Sequence, residues 1–299
     1  MRIVKFVAPL VNFRCDCTPL ALSQSCRIRR VSDVERKRLR RIRELFGRAI
    51  DIGESALELD ASTNLTESEE GWDEERARLL EQAKHAALRA VTILRLYREE
   101  KAGFNAVIQV VSDPRAPYVV SFWGHFKFWA PSRKYSITAA ESGALAAFYA
   151  DIDDCSFDAA QVAVDWFNKT YIEPYVPRDA LLDAMIALDS LYVDDAQELG
   201  YKLATRMAAV LGEPREVFDH VRKAYGLRGR IVHSRKPPTD DEMNAVLPHI
   251  MGYLRRSLIL FLKNPGLKEE LDDIVLGVAK PPGIGGERSI QAGDGNDPP

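Results

Sequence analysis

Near Thr138 the hydrophobic pattern of the chain changes period, and this constrains the fold more than any other feature. Upstream, apolar residues alternate or form short β-branched and aromatic runs, as strands do; downstream they recur at three and four, as helices do. A chain that switches in this way puts a strand-bearing region before a helical one, an α+β architecture. Its 299 residues, 46% hydrophobic and 28% charged, suffice for two domains or one large one.

Residues 2–7 and 10–14 read as short strands, and Leu20 to Arg30 alternates as a strand would. Ser32-Asp-Val-Glu35 has the spacing of a capping box and introduces a helix over the basic run Arg36 to Arg48, with Leu39, Ile42, Leu45 and Phe46 on one side. Asp60 to Glu70 is polar and reads as a loop. Trp72 to Tyr97 holds no Gly or Pro and predicts a long helix. Ala106–Val111 and Tyr118–Phe128 predict a hairpin across Ser112 to Pro117, with His125 packed among the aromatics of its second strand. Beyond Thr138, helices are expected at 139–151, 157–171, 178–192, 195–212, 215–226 and 240–263, with a short one at 267–275. The expected division is a mixed α/β region over 1–135, an all-α region over 136–278 and a Gly-, Pro- and Asp-rich disordered tail over 279–299.

Net charge −3 and a pI near 6.0 exclude a protein that coats nucleic acid by bulk charge, so any such contact needs a local patch. Charge is segregated nonetheless. Ten basic residues and three acids lie between Arg27 and Arg48, followed by ten acids and no base from Asp51 to Glu75. Such blocks either face each other or are solvated. Cys15, Cys17, Cys26 and Cys155 are too few for a disulfide framework, and the Cys15-Asp-Cys17 pair lacks the second half of a zinc motif, so no metal is expected. Lys5 and Pro9 interrupt the N-terminus as a secretory segment, and no later stretch reads as a membrane span; a soluble cytoplasmic protein is the expectation.

One stretch carries chemistry. Tyr225-Gly-Leu-Arg228-Gly-Arg230-Ile-Val-His233-Ser-Arg235 sits in the segment Val221 to Thr239, which holds six Lys or Arg and no acid. A histidine exchanges protons near neutral pH, and an arginine offers a permanent planar charge matched to phosphate oxygens. On a continuous helix residues five apart diverge by about 140° and rise by about 7.5 Å, so Arg228 and His233 do not share a face. Either local breaks at Gly226 and Gly229 bring them together, or the two residues meet across a symmetric dimer. His85, His125, His220 and His249 are scattered in sequence and lack this setting. The N-terminal half offers no Gly-rich phosphate loop, GxSxG, HExxH or paired nucleotidyltransferase carboxylates.

The Arg228-x4-His233 arrangement within YGLRGRIVHS, after the helical stretches LLDAMIALDSLYV and QELGYKLATRMAAVLG, resembles the HEPN superfamily, in particular the ApeA-like HEPN proteins of bacteria. The KFVAPLVNF start and the strand-then-IRRVSDVE pattern are similar to the N-terminal region of those proteins. The resemblance implies a C-terminal HEPN bundle and metal-independent endoribonuclease activity at a homodimer interface, in bacterial defence or stress response, with no cofactor. His233 would be the general base on a ribose 2′-hydroxyl and Arg228 the stabiliser of phosphorane charge. Asp189 would orient one of them, and Arg222, Lys223, Arg230 and Arg235 would bind the RNA backbone. Many active members carry a polar residue after the arginine, where this chain has Gly229. The alternative within the superfamily is a non-catalytic module that binds RNA, a nucleotide or a protein partner.

Overall fold

A computed structural model of the chain describes residues 2–46, 53–65, 69–104, 106–110, 120–122, 134–171, 176–194 and 198–283. The N-terminal part is built on β1 (Arg2–Val11), β2 (Phe13–Cys15), β3 (Leu20–Ala21), β4 (Cys26–Arg30), α1 (Asp33–Phe46) and β5 (Ser55–Thr63). After α2 (Trp72–Tyr97) come β6 (Gly103–Phe104), β7 (Ala106–Val110), β8 (Val120–Phe122) and β9 (Tyr135–Ile137). The main sheet runs β3-β4-β5-β1-β7-β8, antiparallel at each pairing, and β6 also pairs with β1. A second sheet joins β2 to β9 in parallel. The break between β1 and β2 falls at Asn12, whose φ of 56° lies in the left-handed region that Asn tolerates better than most residues.

The strand β5 corrects the sequence reading of a loop beginning at Asp60, and it lies centrally, between β1 and β4. Its acids disguise it. Leu57 and Leu59 are buried, and the Glu58 carboxylate is met by Lys5 of β1 at 3.1 Å and by Arg27 and Arg29 of β4. These three cations offset burial and hold Glu58 down at about 2. The acidic and basic blocks therefore face each other here, through Arg27 and Arg29 on Glu58, and Arg29 also pairs with Glu35 of α1 within the basic block. The capping box at Ser32 forms: Ser32 N donates to Glu35 Oε2 at 2.8 Å, and Glu35 N donates back to Ser32 Oγ at 3.3 Å. Leu39 of α1 is buried; the side chains of Ile42, Leu45 and Phe46, like His125 and its hairpin connection, lie outside the described residues.

The C-terminal part is α-helical: α3 (Ser142–Asp153), a 3-10 turn (Asp158–Ala160), α4 (Gln161–Lys169), α5 (Pro177–Tyr192), α6 (Leu199–Leu211), α7 (Pro214–His233), α8 (Asp240–Asn244), α9 (Leu247–Lys263) and α10 (Leu271–Val275). The expected single helix over 240–263 divides in two at Ala245–Val246, because Pro248 near the start of α9 supplies no N–H for a preceding turn. An 18-residue window within Asp240–Lys263 reaches a mean hydropathy of 1.2, and 56% of it is buried within the protein, as in a core helix. α5, α6, α7 and α9 pack around Leu188, Leu203, Met207, Val221 and Leu254.

One hydrophobic cluster runs from Val4 to Ile274, passing without interruption from the sheet through α2 into the helices. α2 supplies the polar links. Arg89 donates to Asp153 Oδ1 at 2.7 Å and to the carbonyls of Asp153 and Cys155, and Arg98 donates to Ser136 O at 2.6 Å and pairs with Glu141. Arg95, fully buried, donates to Asn168 Oδ1 at 2.7 Å and to Ala102 O at 2.9 Å, with its guanidinium 4.4 Å from the Tyr171 ring centroid.

Candidate functional site

The helix α7 carries most of the basic segment, and it is unbroken. Val217, Val221, Ala224 and Leu227 bury one face, and this packing overrides the cost of Gly226 and Gly229, about 1 kcal/mol each against Ala. The expected end at 226 is therefore corrected: helical hydrogen bonding continues until Ser234 N donates to Arg230 O at 3.1 Å. With no break between them, Arg228 and His233 project in directions about 140° apart. The first of the two routes to convergence within one chain is thereby closed.

Arg228 points back into the bundle. Its Nη1 donates to Tyr225 Oη at 3.0 Å, and its Nη2 lies 3.4 Å from Asp189 Oδ2 on α5. The guanidinium also sits 5.1 Å from the Tyr225 ring centroid. Asp189 is four-fifths shielded from solvent, and its Oδ1 is buried with no hydrogen-bond partner among the described residues. Burial pushes the Asp189 carboxyl up to about 6, with Arg228 opposing the shift. Tyr225 is fixed from the other side by Gly200 on α6, where an added Cβ would lie 2.6 Å from the tyrosine ring. Sequence reasoning identified Arg228 and Asp189 and missed Tyr225 and Gly200; the i, i+3 spacing of Tyr225 and Arg228 was the available signal.

His233 is exposed at the last helical position of α7. Arg222, Gly226, Gly229 and His233 follow at intervals of four, three and four, so they form one outward stripe. A Cβ added at either glycine would meet nothing within 4 Å. Arg222 in this stripe and Lys223 beside it are exposed, and Arg235 is exposed beyond the helix end. Arg230 differs: it makes a two-pronged pair with Glu242 at 2.7 and 3.2 Å, against the capping box that Thr239 and Glu242 form on α8. That pair and the Thr239 backbone hold Glu242 down at about 2. An open cleft of about 620 Å³ beside the stripe is lined by Glu198, Leu199, Gly200, Tyr201, Arg222 and Tyr225.

The cysteines do not gather as ligands among the described residues. Cys15 Sγ and Cys17 Sγ lie 3.3 Å apart, but burial pushes the Cys15 thiol, like that of Cys26 on β4, up to about 12, which favours the protonated form over a thiolate. Comparison of the chain with protein-family models, curated proteins and solved structures finds no match in any of the three.

Proposed function

We propose that the protein is a metal-independent endoribonuclease of the HEPN type that acts as a homodimer on RNA. The observation that carries this reading is the split of Arg228 and His233 over two faces of one rigid helix. Arg228 is anchored by Asp189 and Tyr225 at the margin of the bundle, while His233 ends an outward stripe whose two glycines let another helix approach closely. Two copies of α7 meeting along this stripe would bring the arginine of one toward the histidine of the other. In such a cleft the His233 imidazole takes the proton of a ribose 2′-hydroxyl, and O2′ attacks the adjacent phosphorus. Arg228 stabilises the charge on the phosphorane oxygens. The 5′-oxygen then leaves with a proton from imidazolium or water, giving a 2′,3′-cyclic phosphate and a 5′-hydroxyl.

Arg222, Lys223 and Arg235, all exposed, are proposed to hold the RNA backbone, and Tyr201, 54% exposed on the cleft beside Arg222, to stack a base. Arg230 contributes less to RNA in this scheme, since Glu242 already neutralises it.

RNA incubated with the protein in EDTA is expected to be cut, and His233→Ala to abolish cutting with the circular dichroism spectrum unchanged. Mixing inactive Arg228→Ala and His233→Ala chains tests the shared cleft. Random pairing restores one intact arginine–histidine pair per mixed dimer, so about a quarter of the wild-type activity returns. No recovery would rule out the shared cleft, and retained cutting by His233→Ala would end the mechanism. Tight, salt-sensitive RNA binding without cleavage would favour a binding module in its place.

A further inference from the structure

The N-terminal half of α7 brings together a group of side chains that the ribonuclease reading does not use. Glu216 and His220 lie one turn apart on α7, and His249 reaches them from the first turn of α9. The ligand atoms of all three lie within 4.8 Å of one another, and this is the one such group of three among the described residues. The His220 and His249 rings stack, centroids 3.9 Å apart and planes 20° apart. Tyr253 Oη lies 2.9 Å from His220 Nδ1, and Glu216 Oε1 lies 3.9 Å from the same nitrogen.

One feature of this arrangement favours a cation over a structural pairing: the Tyr253 hydroxyl at Nδ1 holds the His220 imidazole in orientation and leaves Nε2 for a metal, as outer hydrogen bonds do for metal-bound histidines. One ring must turn out of the stack for both in-plane lone pairs to reach the same ion. The carboxylate supplies the charge that two neutral nitrogens lack. Glu216 is 62% exposed, so its rotation onto a metal meets little resistance and leaves a coordination position open to water.

We propose that Glu216, His220 and His249 form a binding site for a zinc-like divalent transition metal, which clips α7 to α9. The nitrogen–oxygen donor set with one open position suits Zn²⁺. Along α7 the site lies about 12 Å from Arg228 and about 20 Å from His233, so it is separate from the proposed catalytic pair, while Arg222 and Lys223 of the proposed RNA surface lie within one turn of it.

The test uses the full-length chain, freed of metal by chelation and dialysis. Isothermal titration with Zn²⁺ is expected to show one site, and saturating Zn²⁺ to raise Tm by about 3 °C or more. Co²⁺ in place of zinc should give visible d–d bands without the intense near-ultraviolet absorption of a thiolate complex. His220→Gln and His249→Gln should each weaken binding at least about 10-fold, and Glu216→Gln should weaken it while leaving the circular dichroism spectrum unchanged. Absence of Zn²⁺ binding would overturn the proposal. So would binding that survives His249→Gln, or a thiolate band that Cys15→Ser removes, since either moves the metal elsewhere. RNA cleavage in EDTA is read separately, and its loss or persistence bears on the ribonuclease reading alone.

Discussion

Burial of the Asp189 carboxylate beside Arg228 makes stability depend on pH in a defined direction. The folded-state value is raised from 3.8 to about 6, so the ionised form is the disfavoured one. Below about 4 the group is protonated in both folded and unfolded chains and there is no penalty. As pH rises from about 4 to about 6 the unfolded chain releases its proton first, and stability falls by something on the order of 3 kcal/mol. Asn at this position avoids the penalty. Asp189→Asn is therefore expected to raise the urea midpoint at pH 7 but not at pH 4, and to lower RNA cleavage because Arg228 loses its ionic anchor. Equal midpoints at pH 7 would mean that the carboxylate is not penalised. The meeting of Asp189 and Arg228 was anticipated from the resemblance alone. Tyr225 was not, because its role depends on the missing side chain at Gly200, and a close approach between two helices leaves no trace in either helix alone.

At the level of elements, signals confined to one segment were readable and signals shared between segments were not. The bounds of α2 and the capping box at Ser32 follow from residues within a few positions of each other. β5 was hidden because Glu58 and Asp60 suggest solvent, whereas the cations that neutralise Glu58 come from β1 and β4, which only strand pairing reveals. Gly226 and Gly229 suggested a break for the opposite reason: intrinsic propensity is weak, and the packing of Val221, Ala224 and Leu227 outweighs it. The same logic gives a test of the outward stripe. Both glycines have helical geometry and open space, so Gly226→Ala and Gly229→Ala should each stabilise the chain by about 1 kcal/mol in urea denaturation. If the stripe is a dimer contact, the added methyl groups also weaken self-association in sedimentation velocity. Stabilisation with unchanged association would remove the stripe from the interface.

For the whole molecule, the continuous core and the α2 arginines argue that the strand-rich and helical parts unfold together. Near-ultraviolet and far-ultraviolet signals should follow one thermal transition. Arg95→Ala should lower stability by about 3–5 kcal/mol, because it opens a large cavity in the core and strips a donor from the buried Asn168 and Ala102 oxygens. Two separated transitions would show that the parts fold independently.

The parallel pairing of β2 with β9 also has a consequence in time. Phe13, Arg14 and Cys15 find their strand partners at Tyr135, Ser136 and Ile137, and the carbonyl of Leu96 at the end of α2 accepts from Arg255. During synthesis β2 therefore emerges well over a hundred residues before the strand that pairs with it. At about 5–20 residues per second, this strand waits for several seconds on each ribosome. A message cut short before the codon for Tyr135 yields a product in which β2 lacks its β9 partner.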